Sequence, residues 1–502
     1  MTVFKWQWEV LSPLAGVLLT LAFAPFEYSY LAIIALVMVV QSWLNCSTAR
    51  AVMRGYLFGI GLFASGISWV YISIHDYGGA PAIGAVLLTL LVICFWALFP
   101  ALTAYLSIKM AGKNNKRNLV WIMPFVWILI EYFRGYWFLN GFPWLQIAYT
   151  QLETPLLGFV PVVGVYGTGF LLALSASLLV AGFNKIINYS LVCISILLIW
   201  GGGAYLKTIQ WTEVRGESIQ VALVQGNVAQ DQKWLAKNRI KTLISYQKMT
   251  EQHWDADLII WPETAVPAYL SQVKKFYLEP LSQSARKHKT DLVVSLPSKG
   301  MQNEYFNTVL KLGNNEGRYN KNHLLPFGEY LPLQPLSGFV LNLLNINLGN
   351  FTSGGNDQKL LEAGGYPFAT SICYEDAFAE EAIRHMPEAA FLVNVTNDAW
   401  FGDSIEPHQH MQIAQMRALE TGRYLLRVTN TGVTAIVAPN GHIIKKLESF
   451  KRAVLRGEIF PMKGMTLYAS IGDETIIAML FAGLIILLIT SKASKGMWKK
   501  NG

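Results

Sequence analysis

A cysteine followed at once by carboxylates is a poor beginning for a nucleophile. In ATSICYEDAFAEEA, residues 369–382, Cys373 is trailed by Glu375, Asp376, Glu380 and Glu381. Nearby negative charge raises a thiol's pKa and shrinks the thiolate fraction that attacks a carbonyl. Chemistry at Cys373 therefore requires a cation and a proton acceptor from elsewhere in the chain. WPET (261–264) ends an apolar stretch with Glu263 behind Pro262, and RYNKNHLLPFGEYLP (318–332) carries Lys321 and, eight residues on, Glu329. Taken singly, a carboxylate after a strand is most often a surface group and a loop lysine is most often solvated. Taken together, in the order Glu, Lys, Cys, they form a set able to transfer an acyl group. Lys321 lowers the thiol's pKa and later faces the oxyanion. Glu263 accepts the thiol proton and returns it to the leaving group. Cys373 holds the acyl chain as a thioester. The backbone N–H of Tyr374 is a second oxyanion donor, and Glu329 orients Lys321.

The elements around these residues read as an α/β domain. SIQVALVQGNV (218–228), ADLIIWPET (256–264), TDLVVSLPS, YFNTVLKL, YPFATSICY and AAFLVNVTND are short β-rich runs, and they alternate with helical spacing in DQKWLAKNRIKTLISYQKMTEQHW, KKFYLEPLSQSARKHK and HQHMQIAQMRALETGR. Two closing strands flank the PNG turn at 439–441. Cys373 stands where a strand gives way to a helix beginning near Glu375, so exposed amides favour its thiolate and the first-turn acids answer the helix dipole.

The 502-residue chain is 53% hydrophobic and 14% charged, where soluble domains hold nearer a quarter charged residues. Eight apolar runs are candidate spans against the about 17–25 residues a bilayer requires: Val10–Phe26, Leu31–Leu44, Tyr56–Ile74, Ala80–Ile108, Leu119–Phe133, Pro161–Phe183, Tyr189–Tyr205 and Thr475–Ser491. With a cytoplasmic N-terminus, the inside loops collect Arg50, Arg54, Lys109, Lys113, Lys116, Arg117, Lys185 and the basic C-terminal tail, while Arg134 is the one clear cation in the outside short loops. That asymmetry follows the positive-inside rule and predicts both termini inside and the segment after the seventh span outside. The expected domains are 1–206 with seven spans, 214–460 as the catalytic domain, and 473–502 as a last span and tail. The net charge of +8 is largely these anchoring loops, so it gives no support to a nucleic-acid partner. The first run, with Lys5 ahead and AFA at 22–24, has signal-peptide features, but Pro25 and the second span close behind favour an uncleaved anchor. Cys46, Cys94 and Cys193 lie in or beside spans, leaving Cys373 a free thiol in the outer domain.

Two stretches break the alternation. SGFVLNLLNINLGNFTSGG (337–355) is uncharged and apolar, and FLNGFPWLQIAY (138–149) is aromatic. Each is read either as a loop packed on its own domain or as a lid and an interfacial platform, with Phe142 and Trp144 as candidate acyl-chain contacts. HQH (408–410) near Asp403 and Glu406 reads as a polar helix start in preference to a metal site, since the proposed chemistry needs no metal. Glu131 and Arg134, three apart, read as an i,i+3 ion pair. No G-x-S-x-G elbow or glycine-rich phosphate loop is present.

WPET, KNHLLPFGEY and SICYED resemble the signatures of the nitrilase superfamily. With spans on both sides, with GFPW at 141–144, and with QGN at 225–227 followed by Trp234, the whole chain resembles the apolipoprotein N-acyltransferase family. The resemblance implies eight transmembrane helices plus a four-layer αββα sandwich in the bacterial inner membrane, with the sandwich on the periplasmic face. It implies Glu263, Lys321 and Cys373 as the triad, functional importance at Trp234, Tyr374 and Glu375, and no cofactor. It also implies two substrates: a phospholipid donor, typically phosphatidylethanolamine, and the free amine of a diacylglyceryl-cysteine on an apolipoprotein. Two rivals remain. A membrane-tethered amidase or nitrilase would use the same triad but needs one span. A transporter would be expected to place ionisable groups at span centres, which are nearly free of them here.

Overall fold

The computed structural model describes residues 7–112, 115–332, 338 and 350–500. The chain forms two compact units, one of residues 1–70, 85–209 and 471–502, the other of residues 71–84 and 210–470. The stretch 71–84, which the sequence assigns to the run of spans, thus groups with the second unit.

Each of the eight apolar runs contains helix, although the first stops at Thr20, short of the expected Phe26. Five of the described helices are long and apolar enough to cross a membrane: Ala82–Ala111, Lys116–Trp137, Pro155–Phe183, Tyr189–Leu206 and Leu467–Ser491. The third expected run is not straight. Thr48–Gly66 and Val70–Tyr77 meet at 61°, and the pair counts as a sixth span if it is continuous. Gln7–Thr20 and Tyr30–Trp43 have 14 residues each, about 21 Å at 1.5 Å per residue, shorter than the about 30 Å of hydrocarbon a straight span must cross. Helix contacts in this unit rely on absent side chains: a Cβ on Gly16 would strike the backbone of Phe58, and one on Gly61 would strike that of Pro13, so the helices 7–20 and 48–66 approach through small residues. Ile83, Leu87 and Leu91 on one helix, and Leu197 and Leu198 on another, stay exposed; apolar faces of this extent find their solvent in lipid.

The second unit is built on two six-stranded sheets. In the first, Ile219–Gln225, Leu258–Ile260 and Asp291–Lys299 run parallel, Ala453–Ile459 pairs antiparallel on one side, and Tyr305–Leu312 and Gly317–Asn320 extend the other. In the second, Tyr366–Ile372, Phe391–Thr396 and Leu425–Thr429 run parallel, with Leu361–Ala363 at one edge and Ala435–Val437 and Ile443–Lys446 at the other. Side-chain alternation sorts the layers. Val221, Leu223, Leu258, Ile260 and Val293 face Phe368, Phe391, Val393, Val395 and Val428 in a core between the sheets. The intervening Ala222, Val224, Ile259 and Val294 pack with Leu243, Tyr246 and Leu281 from the helices Ala236–Glu251 and Glu279–His288. Ala369 and Leu392 pack with Met411 and Ala414 of the helix Glu406–Thr421. The result is the αββα sandwich.

Candidate active site

Each expected catalytic residue leaves the end of a strand in this sandwich. Glu263 follows Leu258–Ile260 by a turn, Lys321 directly follows Gly317–Asn320, and Cys373 directly follows Tyr366–Ile372. Lys321 is held by its backbone, whose N–H donates to Asn307 O (2.8 Å) and whose carbonyl accepts from Gly354 N (2.8 Å). Its Nζ lies 2.7 Å from Glu329 Oε2, with 1% of the lysine side chain exposed. Glu329 is fixed in turn by the Leu325 N–H, 2.8 Å from the same oxygen. Asn307 Nδ2 donates to Glu263 Oε1 at 2.7 Å and reaches Glu329 Oε1 at 3.4 Å. One amide therefore ties the candidate base to the partner of the candidate cation.

Cys373 sits at φ +54°, the left-handed region, which costs a non-glycine residue about 1–2 kcal/mol. The turn is held on both sides. Glu375 Oε2 accepts from Ile372 N–H at 2.6 Å, and Cys373 O accepts from Asn394 Nδ2 at 3.4 Å. The expected helix is a single 3-10 turn, Cys373–Ala377, followed by a short helix Ala379–Ile383. The acids are not spent on a dipole. Glu375 is fully buried, and its Oε1 accepts from Tyr319 OH (2.9 Å), Asn322 N (2.6 Å) and His323 N (3.0 Å). Glu381 takes Asn322 Nδ2 and Arg384. Asp376 belongs to a network on the other side of the turn: Arg427 Nη1 donates to Asp376 Oδ2 (2.7 Å) and Asn394 Oδ1 (2.7 Å), Arg427 Nη2 approaches Asp398 Oδ2 (3.4 Å), and His410 bridges Asp376 Oδ1 (2.8 Å) and Asp398 Oδ1 (3.1 Å).

The proton affinities follow from these placements. Burial pushes the Cys373 thiol up to about 12, with Glu263 adding to the rise and Lys321 opposing it. Lys321 thus acts in the expected direction, but burial and Glu263 outweigh it, and the thiol keeps its proton at neutral pH. Burial also raises Glu263, against the pull of Lys321 and Lys233 and the Asn307 bond, and Glu329 adds to the rise. For Lys321, burial would depress the ammonium, but Glu329, Cys373, Glu263 and Glu375 together hold it above the ordinary lysine range. A proton donor, an acceptor of raised affinity and a permanent cation share one buried site.

The remaining expected residues are dispersed. Tyr374 is buried, its ring near Phe378 (5.3 Å) and His323 (6.2 Å). Trp234 is half exposed, immediately after the helical turn Gln230–Lys233. Phe142 and Trp144 belong to the helical unit, where Trp144 is buried, stacks on Phe142 (6.3 Å) and meets Trp69 edge-on (5.6 Å), while Phe142 stacks on Trp96 (4.8 Å). Glu131 and Arg134 each fasten that loop: Glu131 Oε1 accepts from Ile147 N (3.2 Å), and Arg134 donates to Trp144 O (2.6 Å). Of the candidate lid 337–355, residues 337 and 339–349 lie outside the described residues. Asp398, Glu406 and His410 have the residue types of a metal site, yet both imidazole nitrogens already meet carboxylates and Arg427 supplies the cation.

Sequence reasoning missed Asn307, Asn394 and Arg427, and took His410, on the helix Glu406–Thr421, only as part of a polar helix start. The available signal was a polar residue at an inward position of an otherwise apolar strand, as in YFNTVL and LLRVT.

Comparison with known proteins comes from three directions. Residues 15–178 match the apolipoprotein N-acyltransferase N-terminal domain, and residues 220–462 match the carbon-nitrogen hydrolase family. An apolipoprotein N-acyltransferase of Methylococcus capsulatus is 47% identical over 94% of this chain and 93% of its own length. Those of Nitrosomonas europaea and Pseudomonas aeruginosa are 39% and 40% identical, over 96% and 92% of this chain and 97% and 92% of theirs. Among solved structures, Saccharomyces cerevisiae Nit3, a member of the nitrilase superfamily, is 18% identical with a TM-score of 0.38, covering 54% of this chain and 96% of its own.

Proposed function

This chain belongs to the apolipoprotein N-acyltransferase family, and from that premise we propose that Cys373 carries an acyl chain, as a thioester, from a glycerophospholipid to the α-amine of a diacylglyceryl-cysteine. The protein is an inner-membrane N-acyltransferase of lipoprotein maturation, with a membrane phospholipid donor and a lipoprotein acceptor. The donor proposed is phosphatidylethanolamine, its sn-1 chain the one moved, and the sandwich faces the periplasm with both termini cytoplasmic.

In the first half-reaction the sulfur attacks the ester carbonyl as Glu263 takes the thiol proton. The C–O π electrons move to oxygen, which faces the Lys321 ammonium and the N–H of Tyr374. Collapse expels the lysophospholipid alkoxide, which recovers the proton from Glu263. In the second half-reaction the amine attacks the thioester, Glu263 takes a proton from nitrogen, and the thiolate departs and is reprotonated. The observation that carries this reading is the chain Lys321–Glu329–Asn307–Glu263, because both its ends act electrostatically on Cys373. A thiol pushed up to about 12 supports deprotonation concerted with attack over a standing thiolate. Glu329 orients Lys321, Glu375 braces the turn, and the half-exposed Trp234 contacts substrate.

The test is to incubate the purified protein with phospholipid and no acceptor and measure its intact mass. The expected result is one added acyl chain, released by neutral hydroxylamine and absent from Cys373→Ala. An adduct that survives that substitution overturns the nucleophile. Hydrolysis of small amides by the same trio has less in its favour, since the relatives above carry acyltransferase names over nearly the whole chain.

A further inference from the structure

A second buried lysine stands beside the candidate base, and the acyl-transfer cycle described above leaves it unused. Lys233 is the last residue of the turn Gln230–Lys233, directly before the half-exposed Trp234. Only 2% of it is exposed. Its Nζ donates to the Glu263 main-chain O at 3.2 Å and to Thr264 Oγ1 at 2.6 Å. Both acceptors are neutral, and among the described residues no carboxylate comes within ion-pair distance of this ammonium. A buried cation costs several kcal/mol to desolvate, so a position that gave it nothing in return would be better filled by an apolar side chain. Thr264, a β-branched residue, stands at φ +47°, a conformation that persists only when its surroundings enforce it. The enforcing contacts are the Lys233 bond and the bond from Thr264 N–H to Ser295 Oγ at 3.1 Å.

We propose that Lys233 is a positioning residue for the general base: it pins the Glu263–Thr264 turn that aims the carboxylate, and its charge keeps that carboxylate ionised and ready for the thiol proton. The inference rests on the assignment of Glu263 as the base. The groups facing Glu263 are Lys321 after its strand, Glu329 in the following loop, Asn307 on the adjacent strand, Cys373 on the facing sheet and Lys233 itself. Burial and Glu329 oppose ionisation of Glu263; Lys321 and Lys233 favour it. Lys321 is already neutralised by a carboxylate at 2.7 Å. Lys321 remains the larger counterweight despite that pairing, and the unshared charge of Lys233 adds to it. Burial lowers the Lys233 ammonium to about 8, with Glu263 pulling it back up, so it is cationic below that pH.

The experiment is the pH profile of thioester formation, from phospholipid without acceptor and read by intact mass, for the wild type, Lys233→Met and Lys233→Arg, with Glu263→Gln as the reference. In Lys233→Met the acid limb moves toward higher pH by about one unit, so the rate is about tenfold down on the acid side and the gap closes as pH rises. Lys233→Arg keeps the wild-type midpoint. If Lys233→Met fails to fold by size exclusion and melting, Lys233→Gln, which still donates a hydrogen bond without a charge, is read in its place. A uniform loss at every pH with an unmoved midpoint overturns the inference, as does a midpoint in Lys233→Arg that moves with that of the neutral variant. A Glu263→Gln protein that acylates at the wild-type rate overturns the base assignment instead.

Discussion

Two buried groups of charges flank the Cys373 turn, and they are built on opposite principles. On one side, Asp376, Asp398, His410 and Arg427 pair with one another, the guanidinium reaching both aspartates and the imidazole bridging them, while Glu406 at their edge, 3.4 Å from His410 Nδ1, is pushed up to about 7 by burial and Asp398. Burial opposes ionisation of Asp398, yet Arg427 and His410 outweigh it and hold the carboxyl below the usual range. On the other side, Glu263 and Cys373 are both pushed up. There the charges are left short of full compensation, and protons stay mobile. The lesson is that equally buried clusters differ by how far each ion is answered: the more nearly saturated one holds the backbone in place, and the unsaturated one can exchange a proton with a substrate.

The comparison can be broken at its extremes. The largest effect is expected in the unsaturated cluster: Cys373→Ala abolishes the hydroxylamine-labile adduct, while its melting temperature stays within a few degrees of the wild type. Lys321→Met comes next. Removing one partner of a buried pair leaves Glu329 uncompensated, at about 3–5 kcal/mol, and acylation falls by about a hundredfold or more with the lost oxyanion contact. In the saturated cluster, Arg427→Met should cost a similar 3–5 kcal/mol, read as a lower denaturation midpoint, but the fraction that still folds should acylate within about tenfold of the wild type. If that folded fraction is as inactive as Lys321→Met, the division of labour is wrong.

A finer test uses pH. His410 is raised well above its ordinary value: burial and Arg427 depress it, but Asp376 and Asp398 outweigh them. A raised folded pKa gives stability that is complete below the unfolded value of about 6.5 and is lost as pH rises through the folded value. Melting temperature should therefore fall as pH climbs above about 6.5, and His410→Gln should flatten that slope. The smallest expected effect comes from shortening 337–355, which should slow phospholipid turnover more than it lowers the melting temperature. Unchanged turnover removes the lid.

Much of this is legible in the sequence because strand ends, prolines and a lone cysteine in the α/β segment are local features. Glu263 and Cys373 each announce themselves by standing just past an apolar run, Lys321 only by its place in KNHLLPFGEY, and alternation within IQVALVQ and FLVNVT assigns residues to the two faces of a sheet. The acid run after Cys373 is misread in part because a helix dipole is also a local argument, whereas the real partners of Glu375 and Asp376 come from residues 319–323, the strand Leu425–Thr429 and the helix Glu406–Thr421. Arg427 and Asn307 escaped for the same reason: a polar residue within a strand acquires meaning only when the neighbouring strand is known. The bend near residues 67–69 escaped because hydropathy reports apolarity, not direction.

The high proton affinity of the Cys373 thiol carries a consequence for survival. Peroxide and alkylating agents react with the thiolate, and sulfur enters the oxidation ladder by that route. A resting sulfur that holds its proton to about pH 12 is chemically quiet between turnovers. Such a thiol is a slower target for peroxide than a more acidic one would be in its place.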